Sequence, residues 1–319
     1  MLYKKNNSKV LSEELFKNPT AEYRGMPFWA WNCKLDENEL LWQIEQLKEM
    51  GFGGFHMHSR AGMATKYLSP EFMELIKACT EKAKKEDMLA CLYDEDRWPS
   101  GSAGGYVTKE RKFAGKIVRI TINPIETIDR EEGIKEGKPY FLSCYDVVLN
   151  SDGTLKKYSV INENENAGGT KWYAYVETVP KTGWCNGESY VDTLSKEAID
   201  KFIEITYETY KSAVGEDFGG AVNSIFTDEP QFAVKKLPEF AENKDDVVLP
   251  WTTDFDEFYK SECGIDLIEH FPELIWDLPD GEPSEARYHY HDLISELFTR
   301  SFSDNCGKWC DENGIKLTG

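Results

Sequence analysis

The chain has 319 residues, of which 40% are hydrophobic, so it is long enough to bury one large core or two ordinary ones. Its formal net charge is -20, from 57 acidic and 37 basic residues. No run of lysine and arginine is present to neutralise phosphates, and nucleic acid is therefore excluded as an expected partner.

The first sixteen residues lack the apolar core of a signal peptide, and nowhere do about 18 apolar residues run together as a membrane span requires. We therefore expect no membrane partner and a cytoplasmic location. A removed signal peptide would leave the same pattern, so an extracellular location stays open. The eight cysteines include no Cys-x-x-Cys pair, and Cys306 and Cys310 are predicted to be reduced core residues on one helix face rather than metal or redox ligands.

Short apolar runs alternate with helical patterns along the chain. The run PFWAWN (27–32) precedes a helix that begins after Asp36, because a glutamate three residues later completes a capping-box pattern. The run GGFHMHS (53–59) precedes a helix opened by Ser69 and Pro70. The same strand–helix unit is therefore predicted twice.

Further elements repeat this alternation. They are the runs MLACLYDED (88–96) and AVNSIFTDEPQF (221–232), helices after Ser195, around 254–263 and near 285–313, and a fifth strand beginning in GIKLTG (314–319). Continuously apolar strands favour a parallel sheet covered by helices. Four strands end in polar residues and no Gly-x-Gly-x-x-Gly follows the first, which favours a TIM-type (β/α) barrel over an open sheet. With five predicted strands, the barrel would be incomplete in this chain.

A stretch rich in β-branched and aromatic residues interrupts this pattern. We expect a small antiparallel β insertion over 115–180, between a first barrel part (1–114) and a second (181–319). The insertion would leave the barrel from a strand-to-helix loop, where it forms either a lid over the site or a structural addition.

Polar and aromatic side chains close four of the predicted strands. Because the carboxyl ends of barrel strands lie together, we expect one shared site. Its candidate substrate-binding residues are Trp29, Trp31 and Asn32, then His56, His58 and Arg60, then Asp94, Glu95, Asp96 and Trp98, and finally Asp228 and Gln231, with Glu229 beside them. Carboxylates next to tryptophans are typical of sugar sites, where an acid protonates the leaving oxygen and aromatic rings cover a pyranose.

Each group has a structural alternative. The tryptophans could pack inside the barrel, and YDEDRWPSG (93–101) could be a solvated turn. His56 and His58 are two residues apart and share one side of a strand, which suits a metal or a hydroxyl-rich ligand. No third metal ligand is identified.

Several segments carry a family resemblance: PFWAWN, LDENELLWQIEQLKEMGFGGFHMHSRAGMATKYLS, LYDEDRWPSGSAGG, FTDEP and GIKLTG. In their order and spacing they resemble the N-terminal barrel portion of large proteins related to glycoside hydrolase family 106, the α-L-rhamnosidases. The resemblance implies a (β/α)₈ catalytic domain, inverting hydrolysis of a plant or microbial glycan, and Glu229 as the general acid. It also allows a structural calcium, although the sequence itself requires no cofactor. The family's proteins are longer, and their second catalytic carboxylate comes from a later strand.

The sequence thus predicts a glycoside hydrolase catalytic domain, or a fragment of one, that acts on an oligosaccharide or glycoside. Asp228 would accept a hydrogen bond from a sugar hydroxyl or face a basic neighbour such as Arg60. Two alternatives stay open: a degenerate carbohydrate-binding barrel, and a metal-dependent barrel hydrolase that uses His56 and His58. C-terminal domains of a longer parent protein, or a second copy, would cover the edges that five strands leave exposed.

Overall fold

The computed structural model describes residue 10 and residues 12–319. The strands of this described chain are β1 (Phe28–Trp31), β2 (Gly54–Ser59), β3 (Leu89–Tyr93), β4 (Lys116–Thr121), β5 (Tyr140–Leu149), β6 (Leu155–Val160), β7 (Thr170–Thr178), β8 (Ser224–Phe226), β9 (Val247–Trp251) and β10 (Lys316–Thr318). Its α-helices are α1 (Glu13–Lys17), α2 (Glu37–Glu49), α3 (Pro70–Lys85), α4 (Arg130–Glu136), α5 (Lys196–Phe202), α6 (Glu208–Val214), α7 (Phe255–Cys263), α8 (Leu267–His270), α9 (Glu285–Phe298) and α10 (Asn305–Glu312). Within these residues, no helix has both the length and the apolar character needed to span a bilayer.

The chain divides into two compact units, each assembled from separate stretches. The first consists of Met1–Val107, Ile199–Pro230 and Ser303–Gly319, and the second of Thr108–Ala198 and Gln231–Phe302. Each unit has its own sheet.

The first unit is built on a parallel sheet with the strand order β1-β2-β3-β8-β10. Helices cover one face of this sheet, where Trp31 packs edge-on against Phe72 of α3 at a ring separation of 5.7 Å. The prediction of a parallel sheet covered by helices is confirmed. Since all five strands run the same way, their carboxyl ends lie along one edge of the sheet.

Three helices begin where the sequence predicts. The side chains of Asp36, Ser69 and Ser195 each accept a hydrogen bond from the backbone N–H three residues on, at 3.1, 3.2 and 3.4 Å. Such caps satisfy N–H groups that a helix leaves unpaired. In α10, Cys306 and Cys310 are both buried free cysteines, as expected for core residues.

The second unit contains an antiparallel sheet with the order β6-β5-β7-β4-β9. The expected simple insertion over 115–180 is therefore wrong, because β9, at 247–251, pairs with β4 and completes this sheet. Helices after β9 also pack on the sheet, and the Tyr290 hydroxyl of α9 donates to the Pro250 carbonyl at 2.6 Å. The second unit is therefore built around this sheet, from chain segments that precede and follow β8 in the sequence.

Candidate functional site

The two predicted tryptophans of β1 lie on the helix-covered face of the parallel sheet. Trp29 is level with Met57 of β2, and its indole Nε1 donates to the side chain of Gln43 in α2 at 2.7 Å. Trp31 is 1% exposed and contacts Phe72 of α3. Both side chains pack on the helix-covered face, and their expected role in stacking on a sugar stays a prediction.

The opposite face of the sheet carries aromatic rings and both predicted histidines. We call this surface, formed by Phe28, His56, His58, Tyr93 and Phe226, the histidine face. The ring of Phe28 lies 5.1 Å from His56, 4.9 Å from His58 and 4.8 Å from Phe226. Phe28 is 52% exposed, so the histidine face offers an apolar ring surface bordered by imidazoles. Such a surface can cover the apolar side of a ligand ring.

Asp228 joins the histidine face at the carboxyl edge. The Tyr93 hydroxyl donates to Asp228 Oδ2 at 2.7 Å, and His58 Nε2 lies 3.8 Å from the same oxygen. The other carboxylate oxygen, Oδ1, has no hydrogen bond within the described residues. Arg60 is exposed and forms no ion pair with Asp228 among the described residues. The suggested basic neighbour is therefore replaced by a tyrosine and a histidine.

His58 is held in its neutral form by its surroundings. Burial and, to a smaller extent, the charge of Arg60 lower the pKa of His58 to about 4, although Asp228 opposes both effects. The side chain is 3% exposed, and its Nδ1 has no hydrogen-bond partner among the described residues. At neutral pH the imidazole can therefore offer one donor and one acceptor.

We expect this histidine to titrate near pH 4 in an NMR titration, below the ordinary value of about 6.5. Because the unfolded chain takes up a proton between about pH 6.5 and 4 that the folded chain does not, the histidine destabilises the fold as the pH falls through that window. A His58→Gln variant identifies the resonance, and it should lose less stability than the wild type on acidification. A midpoint at or above 6.5 would contradict the neutral assignment.

The carboxylate of Glu95 binds the backbone of its own loop. The residue is 1% exposed, and its carboxylate accepts five backbone N–H groups, from Asp96 and Ala103 at 2.8 Å, Ser102 at 2.8 Å, Gly101 at 3.1 Å, and Gly104. Burial raises the pKa of Glu95, whereas N–H groups of the loop oppose the rise. All five partners are donors, which is the environment of an ionised carboxylate. Glu95 therefore organises its own loop, and its predicted contact with substrate stays a prediction.

The carboxyl group of Asp94 also forms hydrogen bonds within the protein. The residue is fully buried, and its carboxyl group accepts from the Ser100 hydroxyl at 2.5 Å and from the Tyr207 hydroxyl at 2.8 Å. Burial raises the pKa of Asp94 to about 7, and these hydrogen bonds oppose the rise. Tyr207 ends the π-helical segment Ile203–Tyr207, so Asp94 ties the loop after β3 to the helical layer. The predicted contact of Asp94 with substrate likewise stays a prediction.

The other predicted residues are dispersed. Asp96 accepts from the Arg97 guanidinium at 3.1 and 3.3 Å and is 6% exposed. Trp98 is 42% exposed and Asn32 is exposed, so both side chains reach solvent. Gln231 belongs to the second unit, whereas the other predicted site residues belong to the first.

Glu229 follows β8 and is exposed at the carboxyl edge. Its φ is +43°, in the left-handed region that costs a non-glycine residue about 1–2 kcal/mol. Its side chain makes no hydrogen bond or ion pair within the described residues. Strained backbone of this kind clusters at functional sites, and here it presents an exposed carboxyl group beside Asp228.

Sequence reasoning missed four residues of this site: Phe28, Tyr93, Phe226 and Ser100. Phe28 and Tyr93 alternate with the residues singled out at the strand ends, and only the strand register shows that they share the face of His56. Ser100 was noted only as a loop former, yet it hydrogen-bonds to both acidic segments. Its place six residues after Asp94 gives no signal of that contact.

The site does not fit the calcium that the family resemblance allows. Throughout the described residues, no group of three or more His, Cys, Asp or Glu side chains could hold a metal ion. Hard cations prefer oxygen ligands, but those of Asp94 and Glu95 already accept hydrogen bonds.

These observations define a mixed α/β protein whose parallel sheet presents a polar and aromatic face and two acids at its carboxyl edge. No protein-family model matches the chain, and no curated protein matches it. Among solved structures it is similar to a rhamnosidase from Novosphingobium sp. PP1Y, with a TM-score of 0.59 and 12% sequence identity. The likeness covers 96% of this chain and 46% of that chain, so this chain spans less than half the length of that protein. At this identity the likeness shows the fold alone.

Proposed function

We propose that this chain is the catalytic domain, or part of the catalytic domain, of a glycoside hydrolase, with its parallel sheet forming part of a TIM-type barrel. The observation that carries the proposal is the exposed carboxyl group of Glu229 after β8, which forms no hydrogen bond or ion pair among the described residues and lies next to Asp228 and the histidine face. The structural likeness to a rhamnosidase and the sequence resemblance to glycoside hydrolase family 106 support the same class.

In this proposal Glu229 donates a proton to the departing glycosidic oxygen. Phe28 and Phe226 cover the apolar side of the sugar ring, since their rings lie 4.8 Å apart and Phe28 is half exposed. Asp228 accepts from a sugar hydroxyl through Oδ1, while the Tyr93 hydroxyl holds Oδ2 in place. A partly buried, oriented acceptor of this type favours a hydroxyl-rich ligand.

An inverting reaction also needs a second carboxylate about 6.5–9.5 Å from the acid to activate water. Asp94 and Glu95 do not suit this role, because their oxygens accept hydrogen bonds from Ser100, Tyr207 and the loop backbone. This occupation favours a second candidate function, in which the chain binds a carbohydrate without cleaving it.

The test is hydrolysis of a panel of 4-nitrophenyl glycosides, α-L-rhamnoside included, by the purified chain. We expect release of nitrophenolate with at least one sugar, with an inverted anomer as the first product by NMR. Turnover should persist in EDTA, and its loss there would favour a metal-dependent hydrolase instead. Sugar binding by calorimetry without turnover would support the second candidate, and neither binding nor turnover would refute both.

A further inference from the structure

Ser100 lies where the loop after β3 meets the segment after β8. Its side chain is fully buried, and its Oγ donates to Asp94 at 2.5 Å. The same oxygen accepts the backbone N–H of Asp228 at 2.8 Å, and the Ser100 N–H donates to the Asp228 carbonyl at 2.8 Å. One serine therefore holds both backbone groups of the residue that precedes Glu229.

Ser100 is itself held on both sides. Asp94, which accepts from its hydroxyl, is fixed by the Tyr207 hydroxyl at 2.8 Å. The residues directly after Ser100 donate their backbone N–H groups to Glu95. The buried carboxylates of Asp94 and Glu95 thus hold Ser100 in place, the first through the serine hydroxyl and the second through the residues that follow it. This arrangement explains why two predicted site acids face the protein rather than a ligand.

We propose that Ser100 is a positioning residue for the reaction proposed above, on which this inference rests. The Glu229 side chain makes no hydrogen bond or ion pair within the described residues, so its direction depends on its backbone. That backbone is in the left-handed region at φ +43°, and Pro230 restricts it further. Ser100 sets it by holding Asp228. A general acid must lie within hydrogen-bond reach of the oxygen it protonates, and a displacement of about 1 Å can cost about 10²-fold in rate.

The experiment compares Ser100→Ala with Ser59→Ala in the purified chain. Ser59 is an apt control because it is equally buried, its Oγ has no hydrogen-bond partner in the described structure, and it lies level with Trp31, away from the histidine face. Each variant is assayed with an alkyl glycoside and with the matching 2,4-dinitrophenyl glycoside. The dinitrophenolate departs without a proton, so its release does not depend on where Glu229 lies.

We expect Ser100→Ala to lower kcat on the alkyl glycoside by about 10–100-fold with KM nearly unchanged, and to change the dinitrophenyl rate much less. Ser100→Thr, which keeps the hydroxyl, should recover most of the loss, and Ser59→Ala should match the wild type. If Ser100→Ala does not fold, Asp94→Asn tests the same link at conserved volume and should show the same dependence on the leaving group.

An equal loss on both substrates, or the same loss in Ser59→Ala, would overturn the positioning role while leaving the proposed function intact. A wild-type chain that hydrolyses neither substrate would instead remove the proposed function, and the role of Ser100 with it.

Discussion

Replacing Glu229 by glutamine is expected to lower turnover of glycosides with poor leaving groups by about 10²–10⁴-fold, the usual contribution of a general acid. Glutamine has nearly the same size and backbone preferences as glutamate, but its amide group cannot act as a general acid. The exposed side chain makes no hydrogen bond within the described residues, so the free energy of unfolding should change by no more than about 0.5 kcal/mol. Steady-state kinetics and urea unfolding on the same preparation measure both quantities.

Asp87→Asn is the matched control for this variant. Asp87 is also an exposed acid with a left-handed backbone, at φ +52°, but it follows α3 rather than a strand at the carboxyl edge. Its amide variant should keep full activity. An unaltered rate for Glu229→Gln on an alkyl glycoside, whose leaving group needs a proton, would remove this residue from the mechanism.

Replacing Glu95 by glutamine is expected to destabilise the first unit by about 3 kcal/mol or more. One of the two acceptor oxygens becomes an NH₂ group that faces backbone N–H donors, and at least one buried donor is left without a partner. Charge-assisted bonds to the remaining oxygen weaken as well, because the negative charge is gone. Urea denaturation followed by tryptophan fluorescence gives the difference in unfolding free energy.

The comparison for this variant is Glu71→Gln in α3. Glu71 is an exposed glutamate whose ion pair with Lys34 should contribute at most about 1 kcal/mol. If Glu95→Gln were no more destabilising than Glu71→Gln, the five hydrogen bonds would not organise the loop. Ser100 would then lose one of its two anchors.

Local signals made the elements of the first unit predictable. Caps such as Asp36 and Ser69 are short-range features, and short apolar runs located β1, β2, β3 and β8. β9 was missed because Pro250 lies within it and argues against a strand. In the structure β9 is an edge strand, where a missing N–H is tolerated.

The site was harder to predict because strands of a parallel sheet are apolar on both faces. Nothing in FWAW shows whether Phe28 or Trp29 faces the helices, and in the structure the tryptophans lie on the side opposite the histidine face. The hydrogen bonds of the acids after β3 could not be predicted for a related reason. Glu95 binds the N–H groups of residues up to nine positions ahead, and only the folded loop brings them together.

The pairing of β4 with β9 has a consequence for how the chain is made. Some 130 residues separate Ile120 from its partner Val247, so a ribosome must synthesise β5 to β8 before this sheet can be completed. Closing so long a loop is entropically costly and such contacts form late. Until then β4 has an unpaired edge, which makes the nascent chain vulnerable to aggregation. We therefore expect chaperone binding to protect the nascent chain most before β9 has been synthesised.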